Sequence, residues 1–187
     1  VVFHVSDVSV EEGFTYHWRH THEEVIDAAA EVINLLLGDR AWPFDFLVEN
    51  QWWPGFTFTE PELTRRLLDG IRAERKGIML DIGHLMNCDT TGAASASAGC
   101  SRTLSGEYVR AHTGFLPPGL PLDYLKRYGF GYRHILRIDT HQPWTSPAIC
   151  EVVERIGPDY LVHELSAPDR GAREEAIHIQ NRALGRG

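Results

Sequence analysis

The 187-residue chain has few cysteines, no long apolar runs and no excess of positive charge, and each shortage excludes a class of protein. Cys88, Cys100 and Cys150 are odd in number and lack CxxC spacing, which argues against a disulfide framework and a thiolate zinc site. No apolar run approaches the roughly 20 residues of a membrane span, and no signal peptide is visible. We therefore expect a soluble, cytoplasmic chain without membrane contact.

The charge balance bears on the binding partner. The formal net charge is −8, and no basic stripe offsets the acidic residues. Proteins that bind nucleic acid in general need cationic contacts to the phosphates. The composition therefore argues against a nucleic-acid partner, although it leaves room for a small local basic patch.

Four short apolar runs each end on an acidic residue or a histidine. Residues 46–48 lead to Glu49, 78–80 to Asp81 with His84 beyond it, 135–138 to Asp139 and His141, and 160–163 to Glu164. Each run has the length of a buried parallel strand. The series predicts that carboxylates and imidazoles converge on one rim of a β/α barrel, where such barrels place their chemistry.

Helix signals separate these runs. Thr21 with Glu24 forms a capping box before a helix over residues 22–37, which Gly38 ends. Thr59 with Glu62 repeats the pattern, and Pro61 lies in the first turn. Further helices are predicted to begin at Ser146-Pro147 and at Asp169. The predicted inward faces are Val25, Ala29, Val32, Ile33 and Leu36; Leu63, Leu67 and Ile71; Ile149, Val152, Val153 and Ile156; and Ala172, Ala176, Ile179 and Ala183.

Strand and helix alternation predicts parallel βα units within one domain. A full (β/α)8 barrel usually needs about 250 residues, and the chain opens on the strand-like residues 1–5. We therefore expect residues 1–187 to form a partial barrel with outer helices, in which about two N-terminal βα units are missing. A low-complexity stretch over residues 90–99 is predicted to be a loop, and residues 122–128 a helix.

Side-chain alternation along a strand indicates which residues face the site. Asp139 and His141 share a face with each other, whereas His163 points away from Glu164. Oxygen and nitrogen ligands from separate strands would favour Mn, Mg, Zn, Co or Fe. The alternative is that each acid caps the following helix or pairs with an arginine; Glu49, Asp81 and Glu164 together favour the metal.

Three segments resemble the xylose isomerase-like TIM-barrel superfamily, which includes sugar and sugar-phosphate isomerases and epimerases as well as endonuclease IV. They are Leu47-Val48-Glu49-Asn50, the run from Leu80 to Asn87 with its Asp-x-x-His, and Leu161-Val162-His163-Glu164. The likeness covers most of the chain from Phe3 onward. The resemblance implies that Glu49, Asp81 and Glu164 bind one divalent ion and that His84 contacts the substrate.

Two details of the resemblance separate its branches. The ligand histidine expected on the next strand of an epimerase has no clear counterpart, since residues 92–100 lie about where it should be and His112 substitutes poorly. Asp139-Thr140-His141 looks like the Asp-x-His with which endonuclease IV completes a multi-metal site.

The resemblance implies a metal-dependent isomerase or epimerase that acts on a sugar through an enediolate. Glu49 and Glu164 would transfer the proton, and His84 would position an oxygen. We rank an inactive barrel remnant second and an endonuclease IV-like phosphodiesterase on abasic DNA third. The sequence leaves the substrate, the metal and homo-oligomer formation open.

Overall fold

Three short strands pair in parallel, in the order β1 (Val2–His4), β2 (Phe46–Glu49) and β3 (Lys76–Met79). The computed structural model describes residues 1–15, 18–90, 141–145 and 148–186. The register pairs His4 with Glu49 and Glu49 with Met79. All three strands therefore end at the same edge of the sheet, as the sequence pattern requires for the runs that end at Glu49 and Asp81.

A helix follows each of the three strands, and two of the helices pack on one face of the sheet. Those of the described ranges are α1 (Val10–Thr15), α2 (His22–Leu37), α3 (Pro61–Gly70), α4 (Ile82–Thr90), α5 (Ala148–Ile156) and α6 (Arg170–Ala183). Phe46 and Val48 join the buried side chains of α2 and α3 in the main core. Because strand side chains alternate, Leu47 and Glu49 face the other side of the sheet. Within the described ranges, no helix is both long and apolar enough to cross a membrane.

Helix α2 confirms the predicted bounds and caps. Thr21 Oγ1 accepts a hydrogen bond from Glu24 N, the Glu24 carboxylate accepts one from Thr21 N, and Gly38 ends the helix. The predicted inward face is wrong in part, because Val32 and Leu36 are 44% and 66% exposed. The predicted Val25 and Ile33 are buried, but the buried stripe continues through Ile26 and Ala30 rather than through Val32 and Leu36. Both stripes are apolar at helical spacing, so periodicity alone does not choose between them.

The start of α3 corrects a second prediction. Its first residue is Pro61, and its N-cap is Glu60, whose side chain makes no capping hydrogen bond. Thr59 does not form a capping box, because its hydroxyl lies 2.7 Å from the Thr57 hydroxyl. Proline fits the first helical position, where its missing N–H costs nothing. The predicted burial of Leu67 and Ile71 is confirmed.

The C-terminal helices form a second apolar cluster. Ile149, Val152 and Val153 of α5 pack against Ala183 and Leu184 at the end of α6. Asp169 is the N-cap of α6 and accepts a hydrogen bond from Ala172 N, as the sequence predicts.

The segment over residues 160–163, predicted to be a strand, does not form one in the structure. Tyr160 and Val162 are exposed, whereas Leu161 is half-buried against the α5–α6 cluster. The segment thus keeps the alternation of a strand but lacks a backbone ladder to β1, β2 or β3. The predicted strand over 135–138, the helix over 122–128 and most of the predicted loop over 90–99 lie outside the described residues.

Gly55 tests the packing of the loop that follows β2. Its φ is +127°, and a Cβ there would lie 2.5 Å from the Val5 carbonyl oxygen. We expect Gly55→Ala to lower the free energy of unfolding by more than about 4 kcal/mol, a size reached only through mechanisms such as strain and overpacking. Gly38→Ala is the control, since its Cβ would meet nothing within 4 Å. It should cost only the backbone strain, about 1–3 kcal/mol. Equal losses in urea unfolding would contradict this packing.

Candidate metal centre

Glu49, Asp81 and His84 come together at the carboxyl edge of the sheet. Glu49 is the last residue of β2, Asp81 follows β3, and His84 lies in the first turn of α4. Each offers one ligand atom, and these atoms lie within 4.8 Å of one another. Two carboxylates and an imidazole at this spacing could hold a divalent metal ion.

The Glu49 carboxylate is buried and only partly satisfied. The residue is 5% exposed, and Oε1 has no hydrogen-bond partner among the described residues. Burial raises the pKa of Glu49, the charges of His4 and His84 oppose that rise, and those of Asp81 and Glu164 add to it. A buried carboxylate oxygen without a donor costs free energy unless a cation or proton compensates it.

Asp81 uses its two carboxylate oxygens differently. Oδ1 accepts a hydrogen bond from His84 N at 2.7 Å, which caps the start of α4. Oδ2 lies 3.8 Å from His84 Nε2. Asp81 therefore caps the following helix, as the alternative to metal binding predicts. Its second oxygen, Oδ2, still faces the His84 ring.

His84 is held by the backbone beside Glu49. Its Nδ1 lies 2.8 Å from the Asn50 carbonyl oxygen and 3.4 Å from Glu49 Oε1. A carbonyl oxygen only accepts, so we assign the proton to Nδ1 and the ring lone pair to Nε2. Metal-binding histidines commonly donate their other ring N–H to a backbone carbonyl in this way.

An aromatic loop after β2 covers His84. Trp52 is buried and meets the His84 ring edge-on, with centroids 4.8 Å apart. Trp53 in turn lies 4.6 Å from Trp52. This loop shields the imidazole side of the group from solvent.

His4 joins the site although the sequence analysis assigned it no role. Its Nε2 lies 3.1 Å from Glu49 Oε2, and its side chain is largely exposed. The signal was present, because the apolar residues 1–3 lead to His4 just as residues 46–48 lead to Glu49. The parallel register then places the two side by side.

Glu164 and His141 are not members of the three-residue group. Glu164 has a side chain that is 62% exposed, and its Oε1 lies 3.8 Å from His141 Nε2. It remains close enough to Glu49 for its charge to raise the Glu49 pKa. Asp139, and the region where the missing ligand histidine was expected, lie outside the described residues.

Comparison with known proteins identifies no relative. No family model matches the chain, and neither a search of curated proteins nor one of solved structures finds a match.

Glu12 provides an internal comparison for Glu49, since both glutamates are 5% exposed. The Glu12 carboxylate accepts hydrogen bonds from the backbone and hydroxyl of Ser9 and from Arg19 N. The bonds from Ser9 and Arg19 lower its pKa to about 2. Both oxygens of the Glu12 carboxylate accept hydrogen bonds, whereas Oε1 of Glu49 has no hydrogen-bond partner among the described residues.

In metal-free protein prepared with a chelator, replacing each glutamate by the neutral glutamine should affect the free energy of unfolding differently at the two positions. The lowered pKa of Glu12 contributes stability above its ordinary value of 4.5 that is lost as the pH falls towards 2. The raised pKa of Glu49 contributes stability below 4.5 that is lost as the pH rises through its folded value.

At pH 7 we therefore expect Glu12→Gln to lower the free energy of unfolding and Glu49→Gln to leave it unchanged or raise it. Urea unfolding of both variants at pH 7 and pH 4 measures this. Equal destabilisation of the two variants at pH 7 would show that Glu49 is not a strained, unsatisfied carboxylate.

Proposed function

We propose that this chain is a divalent-metal-dependent isomerase or epimerase of sugars or sugar phosphates, on a partial barrel of the xylose isomerase-like kind. The observation that carries the proposal is the buried Glu49 Oε1, which has no hydrogen-bond partner among the described residues and lies beside Asp81 and His84. The acidic chain, at net charge −8, suits a small neutral substrate better than DNA, which needs cationic contacts to its phosphates.

The donor set fits a hard or borderline divalent ion. Two carboxylates and one imidazole favour Mn, Mg, Zn, Co or Fe. The charge of such an ion would balance Glu49 and Asp81, which otherwise repel each other at close range. Three protein ligands also leave a coordination position for substrate, as catalytic sites require.

A bound ion would polarise the carbonyl and hydroxyl oxygens of the sugar and stabilise negative charge on them. The protein's part is proton transfer. Glu49 and Glu164 would act as the two carboxylates, one removing the proton α to the carbonyl and the other returning it. His141, 3.8 Å from Glu164, would hold that exposed carboxylate in place. Because the His84 N–H is directed at the Asn50 carbonyl, we assign His84 to the ion rather than to a substrate oxygen.

Replacing Asp81 by Asn separates the ligand role from the capping role. Asparagine caps a helix about as well as aspartate, but it removes the ligand charge. We expect Asp81→Asn to lower metal affinity by more than the roughly 10–100-fold that loss of an outer-shell partner costs. The melting temperature of the metal-free protein should change little.

His163→Ala is the matched control, because alternation turns that side chain away from Glu164. Isothermal titration with Mn²⁺ should show nearly unchanged affinity for this variant. An intermediate loss in His141→Ala is expected only if the site is of the multi-metal kind, because His141 pairs with Glu164. Equal losses in Asp81→Asn and His163→Ala would mean that the ion binds elsewhere.

Solvent exchange tests the chemistry directly. The Mn²⁺-loaded protein should incorporate deuterium from D₂O at the carbon α to the carbonyl of its ketose substrate, and Glu164→Gln should abolish this. Proton NMR across a panel of ketoses and ketose phosphates measures it. Incision of abasic DNA without exchange would support the phosphodiesterase, and metal binding with neither reaction, or no metal binding, would support the inactive remnant.

A further inference from the structure

Asn50 lies directly after Glu49 and is fully buried, at 0% exposed. Its side chain bonds both backbone groups of Asp81: Oδ1 accepts from Asp81 N at 2.8 Å, and Nδ2 donates to Asp81 O at 3.0 Å. These bonds lie beyond the last paired residues of the ladder, Glu49 and Met79. The amide thus continues the pairing of β2 with β3 where the two backbones no longer pair directly.

The main chain of Asn50 holds the third member of the group. Its carbonyl oxygen accepts the hydrogen bond from His84 Nδ1. One residue therefore fixes the backbone of Asp81 through its side chain and the ring of His84 through its carbonyl. It does so while being covalently attached to Glu49.

We propose that Asn50 is a positioning residue that sets the metal affinity of this centre, an inference that rests on the proposed metal-binding function. Without an ion, Glu49 and Asp81 carry like charges close together and would move apart. The two bonds from the amide oppose that movement, so the ligand atoms keep their spacing before the ion arrives. Preorganisation of this kind improves affinity because less ordering remains to be done on binding.

Asn34 offers a matched control elsewhere in the fold. Its Nδ2 donates to Gly70 O and its Oδ1 accepts from Arg72 N, both at 2.8 Å. This is the same two-bond bridge from an asparagine to a backbone, and it joins α2 to the end of α3. Asn34→Ala and Asn50→Ala therefore remove the same number and type of hydrogen bonds.

The experiment measures Mn²⁺ affinity by the EPR signal of the free ion, on folded protein well below its melting temperature. We expect Asn50→Ala to weaken Mn²⁺ binding by about 10–100-fold, the usual effect of losing an outer partner of metal ligands. Asn34→Ala should lower the melting temperature of the metal-free protein but leave Mn²⁺ affinity within about twofold of the unaltered chain, because distant sites act independently. If Asn50→Ala does not fold, Asn50→Ser, whose hydroxyl is too short for either bond, replaces it.

The outcomes separate this inference from the proposed function. Mn²⁺ binding by the unaltered chain with the same affinity in the Asn50 variant overturns the positioning role alone. Equal loss of affinity in the Asn34 and Asn50 variants also overturns it, because the effect would then be one of general stability. Absence of Mn²⁺ binding in the unaltered chain overturns the metal centre and this inference together.

Discussion

Parallel pairing of β2 with β3 ends both strands at one edge of the sheet, and the candidate site follows from that pairing. A shift of the register by one residue would turn Glu49 towards α2 and α3 and remove it from Asp81. The packing of Phe46 and Val48 against those helices opposes such a shift. The same core that stabilises the fold therefore keeps the carboxylate on the side of the sheet where His84 and Asp81 can reach it.

The strand pairing holds two carboxylates, those of Glu49 and Asp81, close together at this edge of the sheet. The Glu49 carboxylate is buried beside Asp81, and its Oε1 has no hydrogen-bond partner among the described residues, an arrangement that costs free energy unless a cation or a proton compensates it. Glu12, which lies outside the candidate site, is also buried, and its carboxylate accepts hydrogen bonds at both oxygens. The unsatisfied oxygen of Glu49 is thus a local feature of this edge of the sheet. A divalent ion or a proton would compensate it.

Local capping signals in the sequence predicted the ends of α2 but not the start of α3, where the Thr59 hydroxyl lies against the Thr57 hydroxyl instead. Thr21, Glu24 and Gly38 predicted both ends of α2, because capping depends on residues within one turn. The placement of Glu49 and Asp81 at a common edge also followed from the sequence, since parallel strands end together. The inward face of α2 was predicted wrongly at Val32 and Leu36, because which of two neighbouring apolar stripes is buried depends on what packs against the helix. The sequence resemblance implies that His84 contacts the substrate. The bond from His84 to the Asn50 carbonyl, which turns Nε2 towards Asp81, joins residues 34 positions apart in the chain, so no local pattern predicts it.

X-ray absorption at the metal edge of the Zn²⁺-loaded protein tests the shared site most directly, because it reports the ligand atoms. The account predicts one imidazole nitrogen at about 2.0–2.1 Å together with carboxylate oxygens at about 2.0–2.2 Å. The imidazole scattering should disappear in His84→Ala and persist in His163→Ala. A spectrum without imidazole, or one unchanged in His84→Ala, would contradict a centre formed by Glu49, Asp81 and His84.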